Sequence, residues 1–204
     1  MKMKWFGLSV LALLLAPSMA SAYDVEPPQY EIGEWWVWVN ENGEEAMSQT
    51  VLGEEPDSYI FDLQIDLEGE LQHFWTMMRK DNAGVSRVWG TFIEPLDAIL
   101  DPPFSLFPLQ EHQEATLMLN VYAPIRIDVL LTFRSEIVGV EEITVPAGTF
   151  ETYHLAQEYD VIYGITYIDI WYSPEVRQYI KISVRQTPFV GDLFFELSDY
   201  ELLA

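Results

Sequence analysis

Apolar and polar residues alternate with period two along most of the chain. From 61 to 68 the exchange is strict: Phe61, Leu63, Ile65 and Leu67 against Asp62, Gln64, Asp66 and Glu68. That is the pattern of a strand with one buried face. Gly69 breaks the run, and 71–78 follows as a hairpin partner. Asp81-Asn82-Ala83-Gly84 reads as the next turn, because Asp, Asn and Gly tolerate positive φ, and 85–93 as a third strand. Asn42-Gly43 likewise separates a Trp-rich strand at 34–40 from one at 46–52. The second half resumes with strands near 112–122, 125–134, 136–145, 150–162, 165–173, 178–186 and 193–202. In the second of these, Ile125, Ile127, Val129, Leu131 and Phe133 share one side, while Arg126, Asp128, Thr132 and Arg134 take the other.

Between the halves, 94–109 carries Pro95, Pro102, Pro103 and Pro108 yet is strongly apolar. The prolines argue against a long helix or a central strand. The segment reads as a loop folded over the sheet, with a helical turn at 95–100. About eleven strands with short helical turns predict an all-β fold: a large curled antiparallel sheet or open half-barrel.

Some strands are apolar on both faces. From 159 to 172 one parity holds Tyr159, Val161, Tyr163, Ile165, Tyr167 and Trp171, and the other holds Ile162, Ile168, Ile170 and Tyr172. Trp35, Trp36 and Trp38 pose the same problem. Such strands need cover on both sides, and a single core supplies only one. This marks Trp36, Trp38, Tyr159, Tyr163, Tyr167 and Trp171 as candidate lining of an apolar groove, with Phe104 and Phe107 of the Pro-rich segment as its lid.

Composition adds location and excludes partners. Lys2 and Lys4, an apolar run at 5–16 and Ala20-Ser21-Ala22 have the layout of a cleavable secretory signal over 1–22. Residues 23–204 then form a single antiparallel β domain, periplasmic or secreted. The 12-residue apolar run is shorter than the roughly 20 residues a membrane-spanning helix needs, and no later stretch reaches that length, so no integral membrane protein is expected. There is no cysteine, hence no disulfide and no Cys-linked acyl chain. Without Lys2 and Lys4 the chain has 8 Lys and Arg against 33 acids, a net charge of −25, and 23–78 holds 14 acids with no Lys or Arg. Such a field repels nucleic acid. Half of the residues are apolar and 14% aromatic, enough to fold despite the charge. His73, His112 and His154 show no metal-ligand spacing, and no nucleophile motif is present, so neither a metal, a cofactor nor an enzymatic activity is expected. The paired acids (Asp62, Asp66 and Glu68; Glu41, Glu44 and Glu45) match no calcium loop and read as solvated faces.

Val145-Pro146-Ala147-Gly148-Thr149-Phe150, with Ile170-Trp171-Tyr172-Ser173-Pro174-Glu175-Val176 and Ile180-Lys181-Ile182, resembles exported bacterial domains of unknown function. Their layout is similar to that of lipoprotein-carrier-like half-barrels. Arg177 stands where that layout leads one to expect a glycine. The resemblance implies fold and export but no reaction. Two readings follow: a binding protein holding an apolar ligand such as a lipid or acyl chain, or an envelope scaffold that binds another protein and has no small-molecule ligand.

Overall fold

The computed structural model describes residues 25–203 apart from 68, 93, 105–111, 124, 162–163 and 186–190. The strands in chain order are β1 (Trp35–Val39), β2 (Glu45–Glu55), β3 (Ser58–Leu67), β4 (Glu70–Arg79), β5 (Val85–Phe92) and β6 (Glu94–Phe104). They continue with β7 (His112–Ala123), β8 (Ile125–Val145), β9 (Gly148–Val161), β10 (Gly164–Ser173), β11 (Gln178–Arg185) and β12 (Leu193–Glu201). Each pairs antiparallel with its neighbours in sequence, and β1 pairs with both β2 and β12. The expected curled antiparallel sheet therefore forms, and its curl continues until the last strand meets the first.

The Pro-rich segment departs from expectation. Its part from Glu94 to Phe104 is strand β6, in the wall between β5 and β7, and 95–100 is not a helical turn. The described residues contain no helix, and so none long and apolar enough to cross a membrane. The prolines are tolerated because they sit where the ladder is one-sided or broken. Pro95 faces Thr91 of β5 before pairing with β7 begins at Asp97. Pro102 and Pro103 follow the last β7 pair, Asp101 with Met118. They lie where the β5 register jumps from Arg87–Ile99 to Val85–Phe104. Pro108 lies outside the described residues. The strands expected at 125–134 and 136–145 are one strand, β8. It pairs with β7 as far as Glu136 and with β9 from Thr132 onward, with a bulge between Ile137 and Gly139.

The turns fall where the sequence places them. Asn40 Oδ1 accepts from the amides of Asn42 (2.9 Å) and Glu44 (3.1 Å). In 81–84 the positive φ belongs to Ala83 (48°) rather than to Asn82 or Gly84. After Pro146, Gly148 takes φ 144°, and a Cβ there would meet the Phe150 ring at 3.3 Å. The adjoining Ala147 amide donates to Leu197 O of β12 at 3.1 Å, tying the β8–β9 hairpin to the closing strand.

Buried positions keep strand parity: Trp36 and Trp38 in β1, Phe61, Leu63, Ile65 and Leu67 in β3, Ile168, Ile170 and Tyr172 in β10, and Ile180, Ile182 and Val184 in β11. A one-residue slip of any of these strands would turn its apolar set to solvent, which fixes the register. Among the described residues the outer face carries Asp62, Gln64, Asp169, Lys181 and Glu196. The segment before β1 packs onto the core through Tyr30, whose ring meets Trp36, Tyr59 and Phe61 edge-on at 5.7, 5.3 and 5.0 Å.

Candidate functional site

Of the eight residues expected to hold a ligand, the five whose side chains are described divide between two faces of the wall. Trp36, Trp38 and Tyr159 are buried in the interior. Their polar atoms are satisfied by the protein itself. Trp36 Nε1–H donates to Val176 O (3.0 Å), Trp38 Nε1–H to Tyr179 O (2.8 Å), and the Tyr159 hydroxyl to Gln157 Oε1 (3.1 Å). The Tyr159 ring lies 5.1 Å from that of Phe133, and burial raises its phenol pKa well above the ordinary value. Tyr167 and Trp171 face the other way, because β10 buries its even-numbered positions. Tyr163 and Phe107 lie outside the described residues, as does the side chain of Phe104. The two-sided apolar pattern thus divides into a core and an aromatic outer wall.

That outer wall holds two polar-aromatic networks. In the first, across β8 to β12, Trp171 stacks on His154 (4.3 Å between centroids, 13° between planes) and donates to Glu141 Oε1 at 2.7 Å. His154 Nδ1 and Nε2 face Glu141 and Asp169 at 3.3 and 3.2 Å. Asp169 also pairs with Arg185, and Lys181 lies over Trp171 and bonds Glu196. Register places His154, Trp171, Lys181 and Glu196 in one cross-strand row.

The second network spans β3 to β6, where Asp62, Trp75, Trp89 and Asp97 are register partners in sequence. The half-buried Trp75 and Trp89 rings are near-parallel, 6.4 Å apart at 24°. His73 packs beside Trp75 at 4.4 Å and bonds Asp62. Arg87 lies over Trp89 at 5.1 Å and forks onto Asp97 at 2.9 and 2.7 Å. Gly90 lets β4 and β5 approach here, since a Cβ would fall 2.3 Å from His73 O and 2.8 Å from Phe74 Cα. The sequence signal for Trp75 and Trp89 was faint. The strand of Trp75 carries Gln72 and Thr76 inward and Leu71 and Met77 outward, so alternation alone does not mark its outer face.

Charge is disposed one-sidedly. Arg79, Lys80, Arg87, Arg134, Arg177, Lys181 and Arg185 each pair with a carboxylate, so these cations are neutralised locally while many acids remain unpaired. Among the described residues, such a surface offers a phosphate no ready-made cation.

No protein-family model matches the chain, and neither does any curated protein. Among solved structures, the chain is similar to a protein from Bacteroides fragilis named as exported, with a YmcC-like fold. Identity is 12%, coverage 86% of this chain and 99% of that one, and the TM-score 0.52. It is also similar to the hypothetical lipoprotein YmcC from Escherichia coli, at 8% identity, with 100% and 98% coverage and a TM-score of 0.46. The first likeness shows the fold alone: an all-β curled antiparallel sheet of the YmcC-like kind.

Proposed function

We propose that the protein is an exported interaction protein of the cell envelope, not an enzyme, and that it engages its partner through its outer wall. The observation carrying this reading is the fate of the interior aromatics. Trp36, Trp38 and Tyr159 are at 0, 1 and 0% exposure with their polar atoms bonded internally, so they serve as core rather than as lining of an open groove. The outer wall, by contrast, presents ordered aromatic and charged groups. The signal-like residues 1–22 and the likeness to a protein named as exported support a periplasmic or secreted location. Mass spectrometry of an organic extract of natively purified protein tests the reading. The expected result is no acyl lipid near stoichiometric amount; a stoichiometric lipid would overturn it in favour of an apolar-ligand carrier.

A further inference from the structure

Six tryptophans fall within the described residues, and they divide by what their indole N–H does. Trp35 donates to Glu201 Oε2 (2.9 Å), Trp36 and Trp38 to backbone carbonyls and Trp171 to Glu141. Trp75 and Trp89 have no hydrogen-bond acceptor among the described residues, although their rings lie near-parallel across β4 and β5. We infer that this pair, with the rim of Asp62, His73, Arg87 and Asp97, is a binding site for a neutral saccharide chain.

The chemistry of the rim selects that ligand. Near-parallel indole faces attract the C–H-bearing face of a sugar ring, and both N–H groups remain to be met by hydroxyls. The rim supplies donors and acceptors in fixed positions: Arg87 is locked on Asp97 by two bonds, and Asp62 is held by His73 and by Gln64 Nε2 at 3.1 Å. Because each rim carboxylate already faces a basic side chain, a cationic peptide gains little there. An anionic headgroup fares worse, since Arg87 is already engaged by Asp97. An acyl chain would leave the rim and both indole donors unmet. A polyhydroxylated, uncharged ligand satisfies all of these groups at once.

The site deepens the outer-wall reading and rests on it, but the two fail separately. Cellohexaose, maltohexaose and chitohexaose are titrated against the folded 23–204 protein while tryptophan emission and calorimetric heat are read. Hexalysine and sialyllactose serve as charged comparisons. At least one neutral hexaose is expected to bind, and the Trp75→Phe, Trp89→Phe variant, which keeps two rings but removes both N–H donors, to bind it about tenfold more weakly. Trp171→Phe is expected to bind like the parent protein. Silence of all three neutral sugars overturns the site, as does equal binding by the double variant or tighter binding of hexalysine or sialyllactose. With a lipid-free extract, that result leaves the outer-wall reading standing. A stoichiometric lipid removes the outer-wall reading whatever the sugars do.

Discussion

At Arg177 the backbone takes φ 57°, a conformation that costs a residue with a Cβ on the order of 1 kcal/mol. A glycine would avoid that cost, yet arginine repays it through its side chain. The guanidinium donates to Gln29 O and, at 2.5 Å, to Glu34 Oε1. Glu34 is fully buried; its Oε1 also accepts from the Leu203 amide at 3.0 Å, while Oε2 has no hydrogen-bond partner among the described residues. Arg177 and Glu34 together therefore join the segment before β1, the β10–β11 turn and the residues after β12. Removing one partner of a buried ion pair leaves an uncompensated charge, at a cost of about 3–5 kcal/mol. Arg177→Gly is accordingly expected to lower unfolding stability by about 2 kcal/mol or more, after the backbone relief is subtracted. A urea titration checks this; an unchanged or raised midpoint would show that the side chain contributes little.

Among the elements, the segment before β1 acts as a strap. Tyr30 is 7% exposed, sits edge-on to three aromatic rings, and donates its hydroxyl to Arg177 O at 3.0 Å. Tyr30→Ala is expected to destabilise by about 3–5 kcal/mol, as truncation of a large buried aromatic does, while Tyr30→Phe loses about 1 kcal/mol. Chemical denaturation of the two variants separates ring packing from the hydrogen bond. The strands themselves were largely legible, because alternation and turn residues are local properties: 61–68, 71–78 and 178–186 lie within three residues of β3, β4 and β11 at either end. β6 was not legible, because proline's exclusion from strands depends on whether a neighbour needs its amide, and that is set by register with β5 and β7. Nor was β8, where a bulge beside Val138 carries one strand past a point that reads as a break. The face that each aromatic residue takes was hard to read for a related reason. Bulk identifies aromatic residues but not the wall face they occupy, so Trp36 and Trp171 were grouped together although they point to opposite sides.

In the molecule as a whole, burial governs how stability responds to alkali. The phenols of Tyr30, Tyr159 and Tyr172 all have raised pKa values, chiefly because burial disfavours the phenolate. The unfolded chain ionises its tyrosines near pH 10 while the folded chain keeps these three protonated. Their contribution is thus complete below about pH 10 and falls as pH rises beyond it, by up to about 4 kcal/mol per pH unit for three phenols. Urea midpoints from neutral to strongly alkaline pH, with phenolate absorbance recorded alongside, are expected to show loss of fold and exposure of these tyrosines together. The closed ladder has a different kind of consequence, one of timing. Neighbouring strands meet across short turns, but the seam joins Trp35 to Glu201, 166 residues apart. Contacts that distant form slowly, so the meander zips first and the seam last. Until β12 arrives, β1 waits with a free edge and three tryptophans at hand, able to accept the last strand of another copy instead of its own. A crowded refolding mixture therefore favours strand-exchanged dimers, and dilution favours the self-closed ring.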